Sequence, residues 1–405
     1  MTASGSPPVA PARAYAQDLD AADPLAPFRE RFAIGDPDVI YLCGNSLGRQ
    51  PRAAVEHIER AMQEWAKELV EGWQHWLDLP THVGDLMAGP ILGAGPGQVI
   101  VSDSTSVNLY KLAMAARTAV PGRPVVVTDA GEFPTDRYVL EGLGDRRLIT
   151  SDPVAGPTVD DVTQALDDHV GVVCLSQVGY RSSALADMAD ITAAVHDAGA
   201  LMLWDLSHSA GCFPVALDRH GVDLAVGCTY KYLCAGPGAP AFLFVRTEVQ
   251  DRLRQPIWGW FGQRDQFAMG ERYDPAPDAR QFLVGTPSVI GLAGVQAGVE
   301  VVAEAGVAAI RGKALTLGAL GVQLHRAWLA GRGFSLGSPP EGVHRGSHLS
   351  LCHADAQRIH AELAGSGRVI TDFRFPNTIR LGLAPLTTRF VDVWDAFDRL
   401  RALSY

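Results

Sequence analysis

The sequence predicts an α/β sandwich: a mostly parallel central sheet covered on both faces by helices, followed by a smaller α+β domain. Three observations predict it. Short runs rich in β-branched residues are apolar at every position, as expected where both faces of a parallel sheet are buried. These runs alternate with helix-patterned segments, the signature of βαβ units. Beyond about Ser288 the pattern changes to long Ala/Gly/Val helices and a few short strands.

In order, Val99-Ile100-Val101 leads into a helical stretch from about Thr105 to Thr118. Val125-Val126-Val127 precedes a helical segment beginning near Thr135. Val172-Val173-Cys174-Leu175, a helix over 187–197 and Leu201-Met202-Leu203-Trp204 follow. Leu224-Ala225-Val226 and Phe242-Leu243-Phe244-Val245 complete the strand set. The later part predicts helices over 289–305 and 315–329, strands over 348–352 and 378–383, and a helix near 355–363. The chain thus divides into an N-terminal segment, 1–51, packing with the small domain, a large domain, 52–290, and a small domain, 291–405. Residues 1–16, rich in Ala and Pro, read as a loose leader without a continuous apolar core.

Composition narrows the partners. Of 405 residues, 47% are hydrophobic and 20% charged, and the net charge is −11. An acidic surface repels phosphate backbones and anionic lipid, which argues against nucleic acid and membrane. No apolar run reaches the length a bilayer needs. The six cysteines form no CxxC pair and several sit in strand-like runs, which predicts a cytoplasmic protein with reduced thiols.

Ligands in such sheets bind beyond the carboxyl ends of the strands, and that is where unusual residues gather. Asp205 ends an apolar run in Trp204-Asp205-Leu206-Ser207-His208, and Lys231 lies between Tyr230 and Tyr232 ahead of a Gly/Pro turn. A strand-end acid followed by a partly enclosed lysine is the minimal equipment for pyridoxal phosphate (PLP): the lysine makes the Schiff base and the acid partners the pyridinium nitrogen. Each has an ordinary alternative. Asp205 could cap the next helix, and Lys231 could lay its stem along aromatic neighbours. His208 could touch the ring or orient Asp205, and Tyr230 could donate to a phosphate or carry a proton. Ser102 to Asn108, with Thr105 and Ser106, opens a helix and offers hydroxyls and free N–H groups to a phosphate. Phe133-Pro134-Thr135-Asp136 follows a strand, with Phe133 suited to cover a ring face. Ser176 ends another strand. Trp260, in an aromatic-Gly loop, and Gly285-Thr286 suit an interface or lid. Arg380, alone on an apolar strand, needs an acid: a substrate carboxylate held bidentately, or an intramolecular salt bridge. His344, His348, His353 and Cys352 match no compact metal motif and read as structural.

Together these segments resemble the kynureninases, PLP enzymes of the aspartate-aminotransferase fold (fold type I), from about Ile40 to Val393. The most specific stretch is Tyr41-Leu42-Cys43-Gly44-Asn45-Ser46-Leu47-Gly48, which pattern alone reads as a short strand and turn. The resemblance implies hydrolytic Cβ–Cγ cleavage of L-kynurenine to anthranilate and L-alanine, in tryptophan and kynurenine degradation. It implies Lys231, Tyr230 and Asp205 as catalytic residues. It implies cofactor contacts from Thr105, Ser106, Phe133, Pro134, Thr135, Asp136, Ser176, His208, Trp260 and Thr286. It implies substrate contacts from Ser46, Trp73, Gly285, Thr286 and Arg380. It also implies a homodimer whose active site is shared, with Trp260 and Thr286 supplied by the neighbouring subunit. Vertebrate-type members carry His in place of Trp73 and Ser-Asn in place of Gly285-Thr286, so this chain resembles the bacterial type, which prefers unhydroxylated kynurenine. The rival on the same fold, a cysteine desulfurase or selenocysteine lyase, needs a mobile cysteine over the cofactor, and Cys352 is its one small-domain candidate.

Overall fold

The computed structural model describes residues 9–403. Seven strands form the central sheet: β1 (Val99–Val101), β2 (Val125–Asp129), β3 (Arg146–Ile149), β4 (Val170–Ser176), β5 (Leu201–Asp205), β6 (Leu224–Gly227) and β7 (Phe242–Val245). Their order is β1-β7-β6-β5-β4-β2-β3. All pairings are parallel except those of β7, which runs against both its neighbours. β4 to β7 are buried at nearly every position, which explains their uninterrupted apolar runs. β3 was not expected. It is an edge strand of sequence Arg-Arg-Leu-Ile, half-exposed at three positions or more open, so it lacks the apolar signal of its neighbours.

Helices cover both faces. Thr105–Ala119 is capped by Ser104, whose side chain accepts from Val107 N. Pro134–Gly142 begins with proline at its first position, where no N–H is needed. Met188–Asp197 is capped by Asp187.

The second sheet, antiparallel, comprises β8 (Ser335–Leu336), β9 (His348–Cys352), β10 (Asp372–Arg374) and β11 (Thr378–Gly382), in the order β10-β11-β9-β8. The helices Ala356–Ala364 and Phe390–Ala402 pack with it.

Around the boundary expected after residue 290, the buried residues divide between two cores. Leu292, Val295, Val299, Val302, Val307 and Ile310 lie in the core of the larger domain, and the smaller core begins at Leu317. The helix Val289–Ala305 is nearly all apolar, and its buried face closes the large domain instead of opening the small one. The N-terminal segment is shared: Leu25 and Phe32 join the large core, while Ala16, Ile40 and Leu42 join the small one. Part of the expected loose leader is ordered. Residues 13–16 begin the helix Arg13–Ala21, pinned where Arg13 Nε donates to Asp395 Oδ1 at 2.7 Å; residues 1–8 lie outside the described residues. Among the described residues, all six cysteines are free and no single helix is long and apolar enough to cross a membrane.

Candidate active site

Segments at the carboxyl ends of β1, β2, β4, β5 and β6 converge with the N-terminal motif on one cavity of about 390 Å³. Its wall includes Ser46, Thr105, Ser106, Phe133, Thr135, Asp136, Ser176, Asp205, His208, Tyr230, Lys231 and Arg380, all singled out from sequence. Pro134, Trp73, Trp260, Gly285 and Thr286 do not line it. Pro134 starts the helix that carries Asp136. Gly285 and Thr286 are exposed, Trp260 is 38% exposed, and Trp73 is half-buried edge-on to Trp76.

The local folding explains the convergence. Ser176 and Asp205 sit opposite each other in the register of β4 and β5. Asp205 Oδ1 accepts from Ser207 N at 2.5 Å, and Ser207 Oγ accepts from Cys228 N at 3.2 Å, which ties the acid's turn to the segment before Lys231. The N-terminal motif packs directly on that segment: Gly48 N donates to Tyr230 O at 2.8 Å, and a Cβ on Gly48 would lie 2.2 Å from Lys231 O. No other residue tolerates that approach. The motif's weight in the sequence therefore reflects backbone contact with the lysine loop.

The large-domain wall is electrostatically unfinished. Asp136 Oδ2, His208 Nε2 and both side-chain atoms of Asn45 are buried without a partner. Burial, and then the charges of Asp205 and Glu132, push the Asp136 carboxyl well above its ordinary value. Burial, with Lys231 nearby, holds His208 well below the ordinary imidazole range, so it is neutral. Burial also raises the Tyr230 hydroxyl, which keeps its proton at neutral pH. Orphaned buried groups cost about 1–3 kcal/mol each. A lysine, an acid at the end of β5, unpartnered polar atoms between them and a hydroxyl-bearing helix start are what a PLP ring and phosphate would satisfy, so the residues present fit that group.

On the small-domain wall the cavity-facing arginine is fully paired. Arg380, 1% exposed, donates from Nε to Asp372 Oδ1 at 2.7 Å, from Nη1 to Tyr180 O at 2.5 Å and from Nη2 to Ser46 Oγ at 3.1 Å, and Nη2 also reaches Asp372 Oδ2. The intramolecular salt bridge considered for this arginine is thus present, and the same side chain borders the cavity. Burial alone would raise Asp372, but the Arg380 hydrogen bonds and charge outweigh it and hold the carboxyl below its ordinary value. Arg374 also lines the cavity, with Nη2 3.3 Å from Asp372 Oδ2. Sequence reading missed Asn45, Tyr180, Ser207, Arg374, Asp372 and Glu132. Asn45 and Ser207 lay inside noted motifs and Glu132 inside the strand-end stretch 129–136; Tyr180, Arg374 and Asp372 gave no local signal.

No cysteine lines the cavity. Cys352 is on β9 with Sγ 3.6 Å from Thr378 Oγ1.

Fold and site define a PLP-dependent enzyme of fold type I, and the comparisons agree. A family model for class-V aminotransferases matches residues 100–325. Solved structures similar to the chain include a C-DES mutant with glycine covalently linked to its PLP cofactor (TM-score 0.80, 16% identity, covering 93% of this chain and 99% of that one). A cysteine desulfurase from Escherichia coli is similar as well (TM-score 0.79, 17% identity, 93% and 97%). At those identities they speak for the fold alone. A family model for the kynureninase C-terminal domain matches residues 310–400. Kynureninases from Pseudomonas fluorescens (42% identity, 94% of this chain and 93% of theirs) and Burkholderia pseudomallei (43%, 96% and 94%) match over nearly the whole length. The chain belongs to the kynureninase family.

Proposed function

We propose that this protein hydrolyses the Cβ–Cγ bond of L-kynurenine to anthranilate and L-alanine, and L-3-hydroxykynurenine less well. The observation that carries the reading is the meeting of Lys231, Asp205 and Arg380 in one cavity of a kynureninase-family chain. PLP, when bound, supplies the electron sink for the bond cleavage. Lys231 Nζ holds the cofactor, then takes the Cα proton of the substrate. Asp205 keeps the ring nitrogen protonated, and His208, neutral and orphaned, donates or accepts beside it. Phe133 covers a ring face. Thr105 and Ser106 hold the phosphate at a helix N-terminus. Tyr230, still protonated at neutral pH, returns a proton to the product side. Arg380 receives the α-carboxylate by exchange with Asp372, with Arg374 close enough to take up the displaced acid.

The working unit we infer is a cytoplasmic homodimer in tryptophan degradation. Trp260 and Thr286 lie outside their own chain's cavity, and Trp258, Phe267 and Met269 near that loop are each more than 60% exposed. A second copy covering this face would bring the loop to the neighbouring site. Trp73, Gly285 and Thr286 support a preference for the unhydroxylated substrate.

The test is to incubate the PLP-loaded protein with L-kynurenine and follow anthranilate fluorescence beside the 3-hydroxy substrate. Anthranilate release, faster than release from the hydroxylated substrate, is the expected outcome. No release from either substrate would refute the reading.

A further inference from the structure

Glu132 falls inside the strand-end stretch 129–136, but the sequence attaches no role to it. It lies in the turn between β2 and the helix Pro134–Gly142 and is 7% exposed. Its carboxylate accepts from Ser176 N at 2.7 Å, Ser176 Oγ at 2.5 Å and Phe133 N at 3.0 Å. All three donors are neutral. A buried acid held without a cation is costly when ionised. Glu132 also stands between two spaces. It lines a second chamber of about 330 Å³ that shares Ser176 and Tyr180 with the main cavity.

We propose that Glu132 is a positioning residue for the cofactor: it sets whether the Ser176 hydroxyl offers the cavity a proton or a lone pair, and so couples PLP binding to the uptake of one proton. The inference rests on the cavity being the PLP site. A serine hydroxyl has one proton and two lone pairs, and an ionised carboxylate can only accept. Ionised Glu132 therefore claims the Ser176 proton and leaves lone pairs facing the cavity. Protonated Glu132 can donate from Oε1 to Ser176 Oγ while Oε2 still accepts from Ser176 N. The serine's own proton then turns to the cavity, where an electron-rich oxygen of the cofactor would accept it. The added proton comes from solvent, and no covalent bond to carbon changes.

The surroundings place this exchange within reach. Asp205 at the end of β5 and Asp136 in the next helix, both lining the main cavity, interact electrostatically with Glu132, as does the buried Cys174, and Lys231 acts on Asp136. Asp129, Arg137 and Arg181 share the second chamber with it. Burial pushes the Glu132 carboxyl up, the Ser176 and Phe133 donors pull it back in part, and Asp205 adds to the rise, leaving it at about 7.

The experiment is a titration of the cofactor-free, full-length protein with PLP across pH, read from the absorbance of the bound cofactor. Proton uptake is read by calorimetry in two buffers of different ionisation enthalpy. Wild-type affinity is expected to fall as pH rises from about 6 to 8.5, approaching about tenfold per pH unit at full linkage, with about one proton taken up at the alkaline end. Glu132→Gln, which cannot titrate and can donate to Ser176 Oγ but not accept from Phe133 N at the same atom, is expected to bind with an affinity that no longer varies with this proton and to take up correspondingly less. Ser176→Ala should remove the same component of the pH dependence, and the double variant should remove no more. Glu132→Gln or Ser176→Ala with the full wild-type pH dependence would overturn the inference; the serine variant keeps the test available if the glutamine variant does not fold. Failure of wild type to bind PLP at any pH overturns the cofactor reading along with it, whereas binding with a flat pH curve overturns this inference alone.

Discussion

The two walls of the cavity are built on opposite principles. The large-domain wall, from β4, β5, the helix Pro134–Gly142 and the lysine loop, leaves buried polar atoms of Asp136 and His208 unpartnered. The small-domain wall, from β10 and β11, saturates Arg380 with Asp372, Ser46 and Tyr180. An unsatisfied wall loses free energy until a ligand arrives and gains it back on binding. A saturated wall is stable alone and binds only by exchanging partners. On the proposed reading, the first wall would hold a permanent guest, the cofactor, and the second a transient one, the substrate carboxylate.

Perturbing each wall should separate these roles. The largest effect is expected from Lys231→Ala, which should lower kcat by roughly 10³-fold or more and abolish the bound-cofactor absorbance. Appreciable activity in that variant would break the assignment of the first wall. Arg380→Lys keeps the charge but not the fork, and should raise KM about 10–100-fold with a smaller change in kcat, the loss of a charge-assisted bidentate contact. A fall in kcat with KM unchanged would contradict binding by exchange. Residues outside both walls should act on choice of substrate. Trp73→His with Thr286→Asn should shift relative kcat/KM toward the 3-hydroxy substrate by about tenfold, and no shift would remove these residues from the specificity account.

Buried groups behind the two walls should also answer pH with opposite sign. Burial raises Glu132 to about 7, above the 4.5 expected in the unfolded chain. Between those values the folded state binds the extra proton, so this contribution to stability falls as pH rises. His348, on β9 beneath the small-domain wall, has both ring nitrogens unpartnered and is lowered by burial from 6.5 to about 3. Between those values the unfolded state binds the extra proton, so its contribution is lost as pH falls below about 6.5. His348→Gln, which cannot titrate, should flatten the acid-side decline of Tm without changing Tm much at neutral pH. An unchanged acid-side slope would contradict the sign assigned to this group.

What could be read from the sequence follows the same division. The buried parallel strands, the strand-end acid Asp205 and Lys231 were legible because burial on both faces makes a charged residue conspicuous. β3 was not, since an edge strand with two arginines carries no apolar run. Glu132 lay in a noted strand-end stretch, but its role was hidden because its partner Ser176 lies 44 positions away. Asp372 gained meaning only when β10 paired with β11 and placed it opposite Arg380. The Tyr41–Gly48 stretch was legible only as a resemblance. Its physical reason, the approach of Gly48 to the lysine backbone, exists in three dimensions alone. An apolar helix such as Val289–Ala305 does not announce in its sequence which core it will join.

The central claim, that the unfinished wall holds PLP on Lys231, is tested most directly by reducing the PLP-loaded protein with borohydride and mapping the modified peptide. The account predicts the pyridoxyl group on Lys231. Stoichiometric modification at any other lysine, such as the buried Lys111, with Lys231 unmodified, would contradict it.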